Sequence, residues 1–164
     1  MLAFLAENGP TTGILADVKF AGRERELIES LRAHGLVERA IASTSNVSTL
    51  QNLRRLEPQL ARSRTCPRGR VYFGGHRTFI HVTGPVRWAM GVALPVRVRK
   101  LVHEVGASAL TLNHRLVTRS TVEHCHELDV AVFAWTVNTP EVARRLDELG
   151  VDGVITDDPR IFAE

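Results

Sequence analysis

Short apolar runs and amphipathic stripes take turns along this chain. Residues 14–20 read as a strand, and 23–33 as a helix whose buried stripe is Leu27, Ile28 and Leu31, with His34 and Gly35 ending it. Residues 41–43 form a short strand. Ser45 or Asn46 caps a helix that reaches Leu56 and is stopped by Pro58. The strand expected over 60–64 is poorly written, because arginines occupy alternating positions. Residues 66–94 carry glycines and aromatic residues without a clear period, and read as a long irregular stretch, which in a compact domain is usually functional or disordered. Pro95 then opens a helix through Val105, residues 107–113 read as a strand, and Ser120-Thr121-Val122-Glu123 forms a capping box for the next helix.

The end of the chain is the most legible part. The apolar run 130–134 lacks polar alternation, the mark of a strand buried on both faces of a parallel sheet, and it leads into Trp135-Thr136-Val137-Asn138. Thr139-Pro140-Glu141 supplies a hydroxyl N-cap, a proline at the first helical position and an early acid. Val142, Leu146 and Leu149 fall on one stripe, and Gly150 can stop the helix in the left-handed conformation. Gly150-Val151-Asp152-Gly153-Val154-Ile155-Thr156-Asp157-Asp158-Pro159 supplies a closing strand. Alternating strand and helix signals predict parallel βαβ units and an α/β class. Neither a linker nor an internal repeat divides the sequence, so one domain over residues 1–164 is expected. Polar residues gather where the strands end, and in parallel α/β folds that is where chemistry is expected.

Composition narrows the class. The net charge of +3 is carried almost wholly by arginine, with lysine only at Lys19 and Lys100. Arg62, Arg64, Arg68 and Arg70 cluster, but no aromatic residues interleave with them as single-strand binding requires; a solvated loop and no nucleic-acid partner are expected. The two cysteines, Cys66 and Cys125, lie far apart in no metal spacing, which gives no support to a disulfide framework and predicts an intracellular, cytoplasmic protein. No apolar stretch reaches the ~18 residues of a membrane span, and residues 1–6 are too few for a secretory h-region. His124 and His126, two apart on a helix, do not share a face, so His124-Cys125-His126 reads as a solvated surface and not as a metal site.

The W-T-V-N strand end and the closing strand together resemble the C-terminal end of the glycerophosphodiester phosphodiesterase family, within the TIM-barrel phosphodiesterases. Ile14-Leu15-Ala16-Asp17-Val18-Lys19 is similar to the family's strand that ends in an acid, one apolar residue and a lysine. Ile41-Ala42-Ser43-Thr44-Ser45 sits where the family has a strand ending in serine, and Arg55-Leu56-Glu57-Pro58 resembles the helix end that follows. The family's opening histidine-arginine-glycine strand, its paired carboxylates and its histidine-aspartate step have no counterpart upstream of Ile14. His76-Arg77 follows Gly74-Gly75 instead of a strand, and His114-Arg115 stands in the wrong strand for that role. The resemblance therefore implies an incomplete (β/α)8 TIM-type barrel of about six βα units, with the two N-terminal strands missing. Length agrees, since a complete barrel takes roughly 250 residues with ~200 as a floor and this chain has 164.

The same resemblance implies a phosphoric diester hydrolase that splits glycerophosphodiesters into glycerol 3-phosphate and an alcohol, with a divalent metal, Ca²⁺ or Mg²⁺, as cofactor. Asp17 takes the position of the family's metal-binding acid, where a hard cation would neutralise phosphoryl charge. Lys19, two residues on, shares a face with Asp17 and is expected to contact substrate phosphate, to pair with Asp17, or both. Trp135 is expected to wall the pocket and pack on glycerol carbons, with its indole N–H available for an oxygen. Asn138 and 156–158 are expected to shape turns. Isolated hydrolysis should be very weak or absent, given the opening motifs without counterparts. The alternative is a noncatalytic relative that binds ligand, or that self-assembles into a homo-oligomer through open barrel edges.

Overall fold

The computed structural model describes residues 1–9, 11–67 and 77–163, and between 77 and 91 it describes a side chain only for Ala89. Among the described residues six parallel strands run in strict sequence order: β1 Ile14–Asp17, β2 Ala40–Thr44, β3 Ala61–Cys66, β4 Ala109–Asn113, β5 Ala131–Trp135 and β6 Gly153–Val154. Helices α1 Leu2–Asn8, α2 Glu24–Ala33, α3 Val47–Leu56, α4 Arg77–Val105, α5 Arg119–His126 and α6 Pro140–Glu148 alternate with them. The sheet curls into a half-barrel with β1 and β6 at its two edges. This is the α/β architecture of about six βα units that the sequence predicts.

Alternation along each strand decides what faces the helices and what faces the hollow of the sheet. Ala42, Leu110, Leu112, Val132 and Ala134 are buried, and they join two apolar clusters with the helices. One cluster holds Ile28 and Leu31 of α2 with Leu50 and Leu53 of α3. The other holds Val98 and Val102 of α4, Val122 of α5 and Leu146 of α6. The opposite parity carries Asp17, Ser43 and Ser63 in one register row, and Thr65, Thr111, Phe133 and Gly153 in another. Gly153 leaves room in that second row for the Phe133 ring. A Cβ there would stand 2.8 Å from Cδ1 of Phe133, whose ring covers the position. Gly150, at φ +82°, turns the chain out of α6 as expected.

Two local expectations need correction, and one choice between caps is settled. Residues 77–94 are helical, so α4 is already under way when it meets Pro95, and only 68–76 of the expected irregular stretch lie outside the described residues. An interior proline costs about 3 kcal/mol in helix stability. The apolar stripe of Leu94, Val98, Leu101, Val102 and Val105, all packed on the two cores, more than offsets it. The N-cap of α5 is Thr118, which accepts from Thr121 N at 3.2 Å, and not the predicted box at Ser120. Asn46 caps α3 by accepting from Ser48 N and Thr49 N.

The arginines of β3 are not a solvated loop. Arg62 donates to the carbonyls of Leu60 at 2.6 Å and Gly106 at 3.0 Å, and Arg64 pairs with Glu104 of α4 at 2.5 Å. Their stems lie along the helix side of the sheet and their heads close off backbone carbonyls, so a charged strand is tolerated there. Arg68 and Arg70 lie outside the described residues. Among the described residues no helix is long and apolar enough to cross a membrane.

Candidate functional site

The carboxyl ends of the strands surround a cavity of about 890 Å³. Asp17, Val18 and Lys19 form one wall, residues 43–46 at the end of β2 and just beyond it form the next, Thr65 and Thr111 stand at the back, and Trp135 with Ile155 completes the far side. The three residues singled out in the sequence are thus brought to one hollow, although 116 positions separate Lys19 from Trp135. A smaller hollow of about 470 Å³ lies between α2 and α3 and draws only on Gly22 and residues of those helices, none from a strand end.

Asp17 and Lys19 face the same side, and the Lys19 ammonium contacts Asp17 Oδ2 directly. Both remain open to solvent, at 51% and 70% of their side-chain area. The ion pair foreseen for these two is present. Trp135 lines the cavity, but its indole N–H is donated to the Thr111 carbonyl at 3.3 Å. The expectation of a free N–H for a ligand oxygen is therefore corrected: the backbone of β4 reaches it first, and what remains for the cavity is the apolar part of the ring.

Behind this rim lies a hydroxyl cluster that the sequence did not flag. Ser43 Oγ lies 2.9 Å from Thr65 Oγ1 and donates to Thr111 Oγ1 at 3.3 Å, while Ser63 Oγ lies 2.6 Å from Thr111 Oγ1. Ser43, Ser63 and Thr111 are buried, and Thr65 is partly exposed. Same-parity hydroxyl residues on three successive strands were the available signal. A helix-side apolar pattern hides it, because each short strand shows only one or two of them.

Asn138 does more than shape its own turn. It donates to Asp157 Oδ2 at 3.0 Å and accepts from Asp157 N at 3.0 Å, tying the end of β5 to the segment after β6. Asp158 caps the short 3₁₀ turn Pro159–Phe162 and pairs with Arg160, in line with a turn-forming role. His114 N donates to the Trp135 carbonyl, and its ring does not line the cavity. Burial, with Arg115 and Arg145 beside it, lowers the His114 pKa, which keeps it neutral at pH 7. His126 is not simply a solvated surface group, for it pairs with Asp152.

The donor set does not make up a divalent-metal site. Among the described residues no group of three or more His, Cys, Asp or Glu side chains could hold an ion, and the one carboxylate lining the cavity, Asp17, already holds a lysine. A hard cation takes six or more oxygen ligands with carboxylates among them, and neutral hydroxyls are poor substitutes. What the rim offers is a cation, a carboxylate, an aromatic face and a wall of hydroxyls.

These features find close parallels. The sequence model of the Glycerophosphoryl diester phosphodiesterase family matches residues 6–161. A glycerophosphodiester phosphodiesterase of Caldanaerobacter subterraneus subsp. tengcongensis is 28% identical over 142 residues, which are 87% of this chain and 48% of that protein. This chain thus spans about half the length of that curated relative. A provisionally named glycerophosphoryl diester phosphodiesterase from Silicibacter pomeroyi superposes with a TM-score of 0.72 at 24% identity, covering 96% of this chain and 51% of that one. A phosphodiesterase of Oleispira antarctica, solved in complex with the product sn-glycerol-3-phosphate, superposes with a TM-score of 0.67 at 20% identity, covering 91% and 53%. Strand order, rim residues and the match over nearly the whole sequence lead to one conclusion: the chain belongs to the glycerophosphoryl diester phosphodiesterase family.

Proposed function

We propose that this rim binds the phosphate of a glycerophosphodiester, and that the chain serves a phosphoric diester hydrolase producing glycerol 3-phosphate and an alcohol. The observation that carries this is the meeting of Asp17, Lys19 and Trp135 on one cavity in a member of this family. Lys19 has three N–H donors, of which Asp17 occupies one, so two remain for phosphoryl oxygens. An exposed ion pair is worth at most about 1 kcal/mol, so an incoming anion competes with Asp17 at little cost. Trp135, its N–H already spent, contributes an apolar face on which glycerol carbons can pack. The family's divalent cation, Ca²⁺ or Mg²⁺, would need carboxylates beyond Asp17, so the share of the work proposed for these residues is binding and orientation of the substrate.

One observation favours a second reading, in which the rim binds ligand without turnover. The cavity's only carboxylate among the described residues is held by a lysine. The strands at either edge, β1 and β6, each pair on one side, which also makes self-association a proposal.

Calorimetric titration with sn-glycerol 3-phosphate and a hydrolysis assay on glycerophosphocholine with Ca²⁺ or Mg²⁺ separate these readings. Turnover abolished by Asp17→Ala supports the hydrolase. Binding without turnover supports the second reading, and absence of binding overturns both. A concentration-independent monomer in size-exclusion chromatography would remove self-association.

A further inference from the structure

A group of positive charges stands just outside the cavity, beside the Trp135 backbone. The turn after β4 holds His114 and Arg115, and α6 brings Arg145 across to them. Hydrogen bonds fix the placement. His114 N donates to the Trp135 carbonyl at 2.8 Å, Arg115 N donates to Asn113 Oδ1 at 3.1 Å, and Arg145 Nη2 donates to the His114 carbonyl at 2.8 Å. Both guanidinium charges act on the one imidazole, which is half-buried and lies outside the cavity lining.

What the group lacks is negative charge. Among the described residues neither Arg115 nor Arg145 has an ion-pair partner: Glu141 and Glu148 stand one turn to either side of Arg145 on α6, but Glu141 pairs with Arg144, and the Glu148 carboxylate makes no bond to Arg145. Like charges gathered round one ring repel, and an arriving anion turns that repulsion into attraction. The free donors suit a tetrahedral dianion. Each guanidinium carries five N–H donors, of which Arg145 uses one on the His114 carbonyl, and the imidazole ring adds a further donor. A carboxylate is filled by one guanidinium fork, whereas a phosphoryl group has three oxygens to offer to three donor groups.

From this we infer that His114, Arg115 and Arg145 form a second anion site, at the same end of the sheet as the cavity but separate from it, and that the site takes a phosphoryl group. That group has two sources: a phosphate carried on the alcohol end of a ligand already seated at Lys19, or free phosphate. Only the first source rests on the rim reading proposed above. The site itself needs neither Lys19 nor Asp17.

Calorimetry and proton NMR with inorganic phosphate at physiological salt provide the test. Phosphate should shift the His114 imidazole resonances in the unaltered chain and in Lys19→Ala, and Arg115→Ala should weaken that response about tenfold. The Arg115 side chain is exposed, so this variant should fold as the parent does. Arg145→Lys keeps the charge, gives up the fork and should weaken the response severalfold. His114 resonances that stay still, or that respond equally in Arg115→Ala, overturn the inference. If calorimetry finds only a Lys19-dependent site, the rim reading stands and this inference falls. If it finds only an Arg115-dependent site, the rim reading fails and this inference stands. The bisphosphate ester of 1,3-propanediol separates the two sources. Binding at least about tenfold tighter than phosphate, with the gain lost in Lys19→Ala and in Arg115→Ala alike, assigns the second phosphoryl group to the ligand. No gain over phosphate assigns it to free phosphate, and either result supports the site.

Discussion

His126 Nε2 lies 2.9 Å from Oδ2 of Asp152, the same oxygen that accepts the Val132 N–H at 2.7 Å. One carboxylate thus joins α5 to the start of β5 and to the loop ahead of β6. Burial opposes ionisation of Asp152, but the Val132 amide and the His126 ring outweigh it and hold its pKa below the ordinary value of 3.8. A carboxyl lowered on folding stabilises the protein above its unfolded pKa, and that stabilisation is lost as the pH falls through the folded one. Asp152 is 40% exposed, so solvent screening limits the gain to about 1 kcal/mol. Chemical unfolding from pH 6 downward should show Asp152→Asn less stable than the parent at first. The difference should shrink as the pH falls below 3.8 and through the lowered folded-state pKa, and vanish once Asp152 is neutral.

Gly153→Ala should destabilise the sheet by about 1–3 kcal/mol, because the new methyl would occupy space taken by the Phe133 ring. Thermal melting measures the loss. Pairing the change with Phe133→Leu should recover part of it, and full additivity of the two substitutions would count against direct contact.

Thr118 and Ser120 both carry a hydroxyl at the start of α5, but only Thr118 caps it. Thr118→Ala should cost about 1 kcal/mol, since Thr121 N then loses its acceptor, while Ser120→Ala should stay within about 0.5 kcal/mol. Equal losses in urea titration would contradict the assignment of Thr118.

Arg32→Ala should cost about 2 kcal/mol. Its guanidinium reaches Glu57 Oε2 at 2.6 Å, and the Glu57 side chain is only 9% exposed, so removing the arginine leaves a carboxylate without its counter-charge. Arg32→Leu combined with Glu57→Leu should restore most of the stability in the same unfolding assay.

At the rim, charge removal should act in opposite directions. Lys19→Ala should weaken phosphate binding about tenfold. Asp17→Asn should strengthen it, because it releases the ammonium and removes a repelling charge. Both residues are exposed, so melting temperatures should hardly move. Calorimetry with inorganic phosphate reads the affinities. Loss of affinity in Asp17→Asn would show that the carboxylate helps hold the anion.

Much of this molecule was legible in the sequence where local and tertiary preferences agree. Thr139, Pro140 and Gly150 bracket α6 in the chain as they do in space, and the run 130–134 foretells β5 to within one residue. Legibility failed where tertiary partners overrule the pattern. Arg62 and Arg64 disguise β3 because part of what satisfies their charges, the Gly106 carbonyl and Glu104, lies 40 or more positions away. Pro95 hid the body of α4, since its local cost is met only by packing on the finished sheet. At the site, Asp17 and Lys19 could be placed from their spacing. The hydroxyl chain could not, because Ser43 and Thr111 are 68 positions apart and meet only through strand register.

Strand order has one more consequence. Every described strand bonds only to the strands immediately before and after it in the chain, and the longest stretch between partners runs from Cys66 to Ala109. Assembly can proceed as a zipper, with each new strand laid against a template already in place and the largest loop-closure cost falling between β3 and β4. Unfolding should retrace that path from the outer strands inward, so amide exchange is expected to be slowest in β3 and β4 and to quicken toward β1 and β6.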